Sequence, residues 1–195
     1  MRSMTIYCSA SEGIDPQFKP AARRTGALLA ERGIELIYGG GAVGLMGETA
    51  RACKEAGGRV TGVITRHLLD SEQGWTGCDE LLVVDSMRER KQEMIERAEG
   101  FLTLPGGLGT YEEFFETLVG RLLMEHQRPI GVLNDQGHFD PLIEMFRHGV
   151  EHRFITEPTW QLVHFGTDPE QLIDELCRAE TVEIDPDQFY PARSS

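Results

Sequence analysis

The sequence predicts an α/β fold: a Rossmann-like, doubly wound, mostly parallel sheet with helices on both faces. Three observations carry that expectation. Short apolar runs rich in β-branched and aromatic residues alternate with longer segments of helical period. Glycine clusters stand where a run gives way to a helix. A length of 195 residues suits one such domain rather than two. A single domain over 1–195 is expected, with a frayed tail from about 186.

In chain order, residues 4–8 (MTIYC) read as the first strand, and apolar residues at three-to-four spacing predict a helix over 16–32. Residues 34–38 (IELIY) form the second strand, followed by a glycine run and a helix over 44–56. The third strand is 60–64 (VTGVI), and 65–79, containing SEQGWTG, reads as a long loop. Residues 81–84 (LLVV) give the fourth strand and 86–99, opening at Ser86, the next helix. The fifth strand, 101–104 (FLTL), leads into a helix over 110–126. The sixth, 129–133 (PIGVL), precedes one over 141–152. Strand, helix, strand in succession implies parallel pairing, because parallel strands need a crossover. Ligands in such sheets sit outside the carboxyl ends of the strands, so the turns after Cys8, Tyr38, Val84 and Leu104 are the places to look for chemistry.

Composition narrows the partners. The 32 acidic against 19 basic residues leave a formal charge of -13, which argues against a nucleic-acid backbone or an anionic membrane as partner. A small anion would need a pocket lined by N–H groups or local positive charge. No stretch approaches the length of a membrane span, and residues 1–12 contain no continuous apolar segment of a secretory leader. Cys8, Cys53, Cys78 and Cys177 form no CxxC pair. A soluble, cytoplasmic protein with reduced thiols is expected.

Two glycine-rich turns stand out. YGGGAVGLMG, 38–47, holds G-x-G-x-x-G at Gly39, Gly41 and Gly44, a dinucleotide-binding spacing. It follows the second strand rather than the first, and Thr65 and Arg66 occupy the place of the ribose-binding acid, so a tight turn approaching a smaller ligand fits better. PGGLGT, 105–110, lacks the G-K-[ST] of a Walker loop; its freed N–H groups suit a monophosphate. Glu112, Glu113 and Glu116 follow, and Glu113, one turn from that anion mouth, lies about a ribose length from a bound phosphate. In MRERKQEM, 87–94, Arg88, Arg90 and Lys91 crowd positive charge at a helix start, where the dipole disfavours it. Either Glu89 and Glu93 pair with them on a solvated face, or an anionic ligand or catalytic carboxylate does. His148 and His152 are four apart, but without H-E-x-x-H or an evident third ligand they read as a surface helix, and no metal site is expected.

Together these segments resemble the LONELY GUY (LOG) family, the cytokinin riboside 5'-monophosphate phosphoribohydrolases. The similarity runs from about Tyr7 to about Ile155 through YCSAS, YGGGAVGLMG, GGRVTGVI, MRERK, PGGLGTYEE, and RPIGVLN with HFDPL. The family's PGGxGTxxE signature is complete from Pro105 to Glu113, and its M-x-x-R-K element is Met87, Arg90 and Lys91. The resemblance implies a catalytic pair, Arg90 and Glu113. It implies substrate contacts at Ser9, Gly41, Glu72, Met87, Lys91, Gly106, Gly107, Leu108, Gly109, Thr110, Tyr111 and Glu112. It further implies a Rossmann-like homodimer that needs no metal and no cofactor, acting on a nucleoside 5'-monophosphate to release free base and ribose 5-phosphate. Where the family usually carries T-W-x-Q, this chain has Val119, Gly120, Arg121 and Leu122; Arg88 replaces a usual His and Ser9 a usual Gly. The altered helix bears on the base or its N6 substituent rather than on phosphate or ribose. A non-catalytic nucleotide or cofactor carrier on the same fold is the alternative. Lysine decarboxylase, a label such sequences have carried, would need a Schiff-base lysine, and Lys19, Lys54 and Lys91 have no persuasive context for one.

Overall fold

The computed structural model describes residues 1–72 and 74–179, with the side chains of 71 and 72 left out. Among the described residues, seven strands form one sheet: β1 (Ser3–Tyr7), β2 (Glu35–Tyr38), β3 (Val60–Thr65), β4 (Glu80–Val84), β5 (Phe101–Thr103), β6 (Ile130–Leu133) and β7 (Val163–Gly166). The order is β4-β3-β2-β1-β5-β6-β7 and every pairing is parallel. The winding reverses between β1 and β5, where Thr5 pairs with Phe101 and Tyr7 with Thr103. The crevice above that switch point is where a doubly wound sheet holds its ligand.

The connections are α1 (Lys19–Glu31), α2 (Gly44–Glu55), α3 (Arg66–Glu72), α4 (Met87–Arg97), α5 (Leu108–Leu122), α6 (Asp140–Glu151), α7 (Glu157–Trp160) and α8 (Pro169–Arg178). Strand residues alternate between two cores, as a pleat of period two requires. Met4, Ile6, Leu36 and Tyr38 face α1, α2 and α8 through Leu28, Leu29, Ala50 and Ile173. Tyr7, Ile37, Val63 and Phe101 face α4, α5 and α6 through Met94, Phe114, Leu118 and Phe146. Helices thus cover both faces.

Six strands and five helices fall where the sequence places them, with helix ends moved by a few residues. The helix expected over 110–126 runs Leu108–Leu122 and stops before Met124, whose φ is +61°. The expected loop over 65–79 is corrected: its first half is α3, opened by Thr65, whose hydroxyl accepts from Leu68 N at 3.2 Å. The sequence reading missed β7, α7 and α8. VHFG is short and partly exposed, hence its weak signal. For α8 the signal was present: Asp168 caps the helix, accepting from Gln171 N at 2.8 Å, Pro169 follows, and Leu172, Ile173 and Leu176 share the buried face. The expected frayed tail lies outside the described residues.

Candidate active site

Helix α4 opens with a capping box in which Glu89 N donates to Ser86 Oγ and Glu89 Oε2 accepts from Ser86 N, both at 3.2 Å. Glu93 pairs with Arg97 at 3.0 Å. Both acids are therefore committed elsewhere, and the solvated-face reading of Arg90 falls. Arg90 points inward and is only 5 % exposed. Its Nε donates to Val63 O at 3.0 Å, its Nη2 to Gly39 O at 3.2 Å, and its Nη1 to Glu113 Oε1 at 3.4 Å and Met87 Sδ at 3.4 Å. Arg88 stays exposed on α4.

Glu113 projects from the second turn of α5 and is 6 % exposed. Burial pushes its carboxyl up to about 7; Arg90 pulls the other way, Glu112 adds to the rise and Lys91 opposes it. Desolvation outweighs the guanidinium and leaves the carboxyl titrating near neutrality, where it can both take and give a proton.

The pair lies at a cavity of about 320 Å³ whose wall includes Ser9, Met87, Gly107, Gly109 and Thr110. The loops after β1 and β5 are joined by Leu104 N donating to Tyr7 O at 2.8 Å and Ser9 N to Pro105 O at 3.1 Å. Gly107 caps α5 with extended backbone, so the first N–H groups of the helix have no intrahelical acceptor and open on the cavity mouth. A second cavity of about 380 Å³ shares Ser9 and Gly107 and is walled by Ile14, Phe18, Leu45 and His138.

The structure brings together Ser9, Met87, Arg90, Gly107, Gly109, Thr110 and Glu113. It does not bring the rest of the expected set. Lys91 pairs with Glu112, and with Glu116 at 3.0 Å, in a cluster outside this cavity. Tyr111 packs edge-on against Phe139, Leu108 is 89 % exposed, and Gly41 bridges to Gly74. Gly106 lies in the second cavity, its N–H 3.3 Å from His138 Nε2. The Glu72 side chain lies outside the described residues. Val119, Gly120, Arg121 and Leu122 do not reach the Glu113 cavity of their own chain; Arg121 is buried instead, donating to Leu162 O at 3.0 Å. Cys8, Met46 and Leu68 line the cavity, and His138 touches the glycine turn, without the sequence reading having singled them out. The position of Cys8 at the end of β1, Met46 within YGGGAVGLMG and His138 at the head of HFDPL were the signals that could have found those three. On α6, Glu151 adds a third group to His148 and His152, all three exposed and within 4.8 Å of one another, a neighbour the spacing of the histidines had not suggested.

A family model described as "Possible lysine decarboxylase" matches residues 46–176. The cytokinin riboside 5'-monophosphate phosphoribohydrolase LOG of Oryza sativa subsp. japonica is 36% identical over 90% of this chain and 72% of its own length. LOG7 of Arabidopsis thaliana, of the same description, is 34% identical over 90% of this chain and 81% of its own. The chain belongs to the LOG family. Solved structures similar to this LOG protein include the molybdenum cofactor carrier protein of Chlamydomonas reinhardtii, with a TM-score of 0.69 at 19% identity over 91% of this chain and 99% of that one. A molybdenum cofactor binding protein from Rippkaea orientalis gives 0.68 at 20% over 89% and 93%. At that identity the likeness shows the shared fold alone.

Proposed function

We propose that this LOG protein hydrolyses the N-glycosidic bond of an N6-modified adenosine 5'-monophosphate, such as a cytokinin riboside monophosphate, releasing free base and ribose 5-phosphate. One observation carries the reading: a buried Arg90–Glu113 pair, 3.4 Å apart, sits one helical turn below an open, N–H-lined glycine turn. The turn holds the 5'-phosphate through the free N–H groups of α5 and the Thr110 hydroxyl, which sets the ribose over Glu113. The Glu113 carboxylate faces the anomeric carbon, stabilises the positive charge that develops there and takes a proton from the attacking water. Water oxygen bonds to the anomeric carbon as the bond to the base nitrogen breaks, and the base leaves with that electron pair and acquires a proton. Arg90 holds the carboxylate in place and favours its ionised form.

The family relatives named for this activity support the reading. Decarboxylation through a lysine Schiff base does not fit the side chains. Lys19 pairs with Glu48 at 3.4 Å, Lys54 with Asp79 at 2.7 Å and Lys91 with Glu116 at 3.0 Å, and none of the three lines the Glu113 cavity. Incubation with AMP and with isopentenyladenosine monophosphate separates the readings: released base supports hydrolysis, tight binding without product supports a carrier.

A homodimer in the cytoplasm completes the proposal. Exposed Val119, Leu123 and Met124 at the end of α5 supply apolar surface for a second copy, and Cys8 and Cys53 are free buried thiols. No described helix is long and apolar enough to cross a membrane. Light scattering on the eluting protein checks the dimer.

A further inference from the structure

Arg90 is anchored by α4, yet its guanidinium is seated by backbone just past β2 and within β3. Gly39, just past β2, supplies a carbonyl 3.2 Å from Nη2, and Val63 a carbonyl 3.0 Å from Nε. A methyl group on residue 39 would lie 2.0 Å from Nη2 and 3.2 Å from Cζ, whereas its next neighbour, Met46 Cε, is at 3.2 Å. Gly39 is not among the glycines with positive φ, so alanine there meets no backbone strain. The severe obstacle to a side chain at 39 is therefore the tip of Arg90.

We infer that Gly39 is a positioning residue for the proposed hydrolysis: its missing side chain and its carbonyl together form the seat that holds the Arg90 guanidinium against Glu113. The inference rests on the proposed reading of the site. It also gives the first glycine of the G-x-G-x-x-G run a task other than a nucleotide, because that backbone approaches an arginine. With the seat filled, the guanidinium must leave its present place beside Glu113. The groups around Glu113 are Arg90 and Lys91 on α4, Glu112 and Glu116 on its own helix, and Tyr7 and Cys8 at the end of β1, whose protons the Glu113 charge helps retain. Of these, a methyl at 39 displaces Arg90.

The test uses four proteins: wild type, Gly39→Ala, Arg90→Ala and the double variant. Gly39→Ala should lose stability to an extent similar to Arg90→Ala, because the same seat contacts break, lose about 100-fold in kcat and show Glu113 titrating higher by about one pH unit, read from the carboxyl carbons by 13C NMR. The double variant should match Arg90→Ala, since both changes act through one group. Retention of kcat with an unchanged Glu113 titration, or a full additive loss in the double variant, overturns the inference. If wild type releases no base, the proposed function fails while the titration still decides the seat. Should Gly39→Ala not fold, recovery of folding in Gly39→Ala/Arg90→Ala supports the clash, and failure of both assigns Gly39 to the fold instead.

Discussion

The turns after β2 and β5 are both rich in glycine and both run into a helix, yet their glycines answer to different neighbours. After β2, the space of a side chain is taken by Arg90 at Gly39 and by the backbone of residues 9–11 at Gly44, which also has a φ of +61°. After β5, Gly106 makes room for Thr110, but a methyl at Gly107 or Gly109 would meet nothing within 4 Å. The first turn is bare because the protein itself comes close; the second is bare toward open space, as close approach by an anion requires. A glycine pattern therefore marks a ligand only where the structure leaves the space beside it empty. The glycines of the first turn serve packing, and the less familiar PGGLGT turn is the one proposed to receive the phosphate.

The largest effects should arise where the two turns meet, at the pair they hold. Glu113→Gln removes the proton acceptor while keeping shape, and base release should fall by about 1,000-fold with nucleotide affinity largely kept. Near-normal turnover would detach the second turn from any catalytic role. Arg90→Ala should cost about 100-fold at neutral pH and leave the carbonyls of Val63 and Gly39 without this donor, lowering stability by roughly 1–3 kcal/mol. Because Glu113 then loses the charge that lowers its pKa, part of the lost rate should return at higher pH. A flat profile would separate Arg90 from Glu113 and break the comparison at the first turn.

A pH series sharpens the same contrast through stability. Glu113 titrates at about 7 when folded against an ordinary 4.5. Below pH 4.5 both states hold the proton and burial is free of charge penalty. As pH rises toward 7 the unfolded chain ionises first, so the folded state loses stability, by an order of 3 kcal/mol in full above pH 7. Glu113→Gln abolishes this loss, whatever constant offset the substitution adds. The difference in unfolding free energy between variant and wild type should therefore move by about that amount in the variant's favour between pH 4.5 and 8. A pH-independent difference would mean that the carboxyl is solvated and the site open.

Much of this was legible in the sequence, for physical reasons that also explain the gaps. Five of the first six strands are largely buried apolar runs, and β4, half-buried throughout, still reads as an unbroken LLVV; β7, with His164 and Gly166 among its four residues, carries little of that apolar signal. Arg90 and Glu113 could be paired through motif resemblance alone, since 23 positions separate them and only the β1–β5 reversal brings their helices together. The family resemblance implies substrate contacts at Lys91 and Glu112, but adjacent residues on a helix point about 100° apart, so when Arg90 and Glu113 turn inward their neighbours turn outward and meet each other. The seat at Gly39 left no trace beyond the glycine itself, because what fills it comes from α4.

The smallest expected effect is the most specific to the second turn. Gly109 lies in the first turn of α5 with open space where a side chain would go, so Gly109→Ala should raise stability by about 0.4–1 kcal/mol by restricting the unfolded chain. The same methyl stands at the mouth where the 5'-phosphate must approach the N–H groups. Losing one charge-assisted hydrogen bond there, roughly 1.5 kcal/mol, should raise KM by about tenfold with kcat little changed. Thermal melts and steady-state kinetics on one preparation read both quantities. A more stable protein with weaker substrate binding is the signature of a glycine retained for a ligand, opposite to Gly39→Ala, which should lower stability and strike kcat. Unchanged KM in Gly109→Ala would move the phosphate away from α5 and, with it, the ribose away from Glu113.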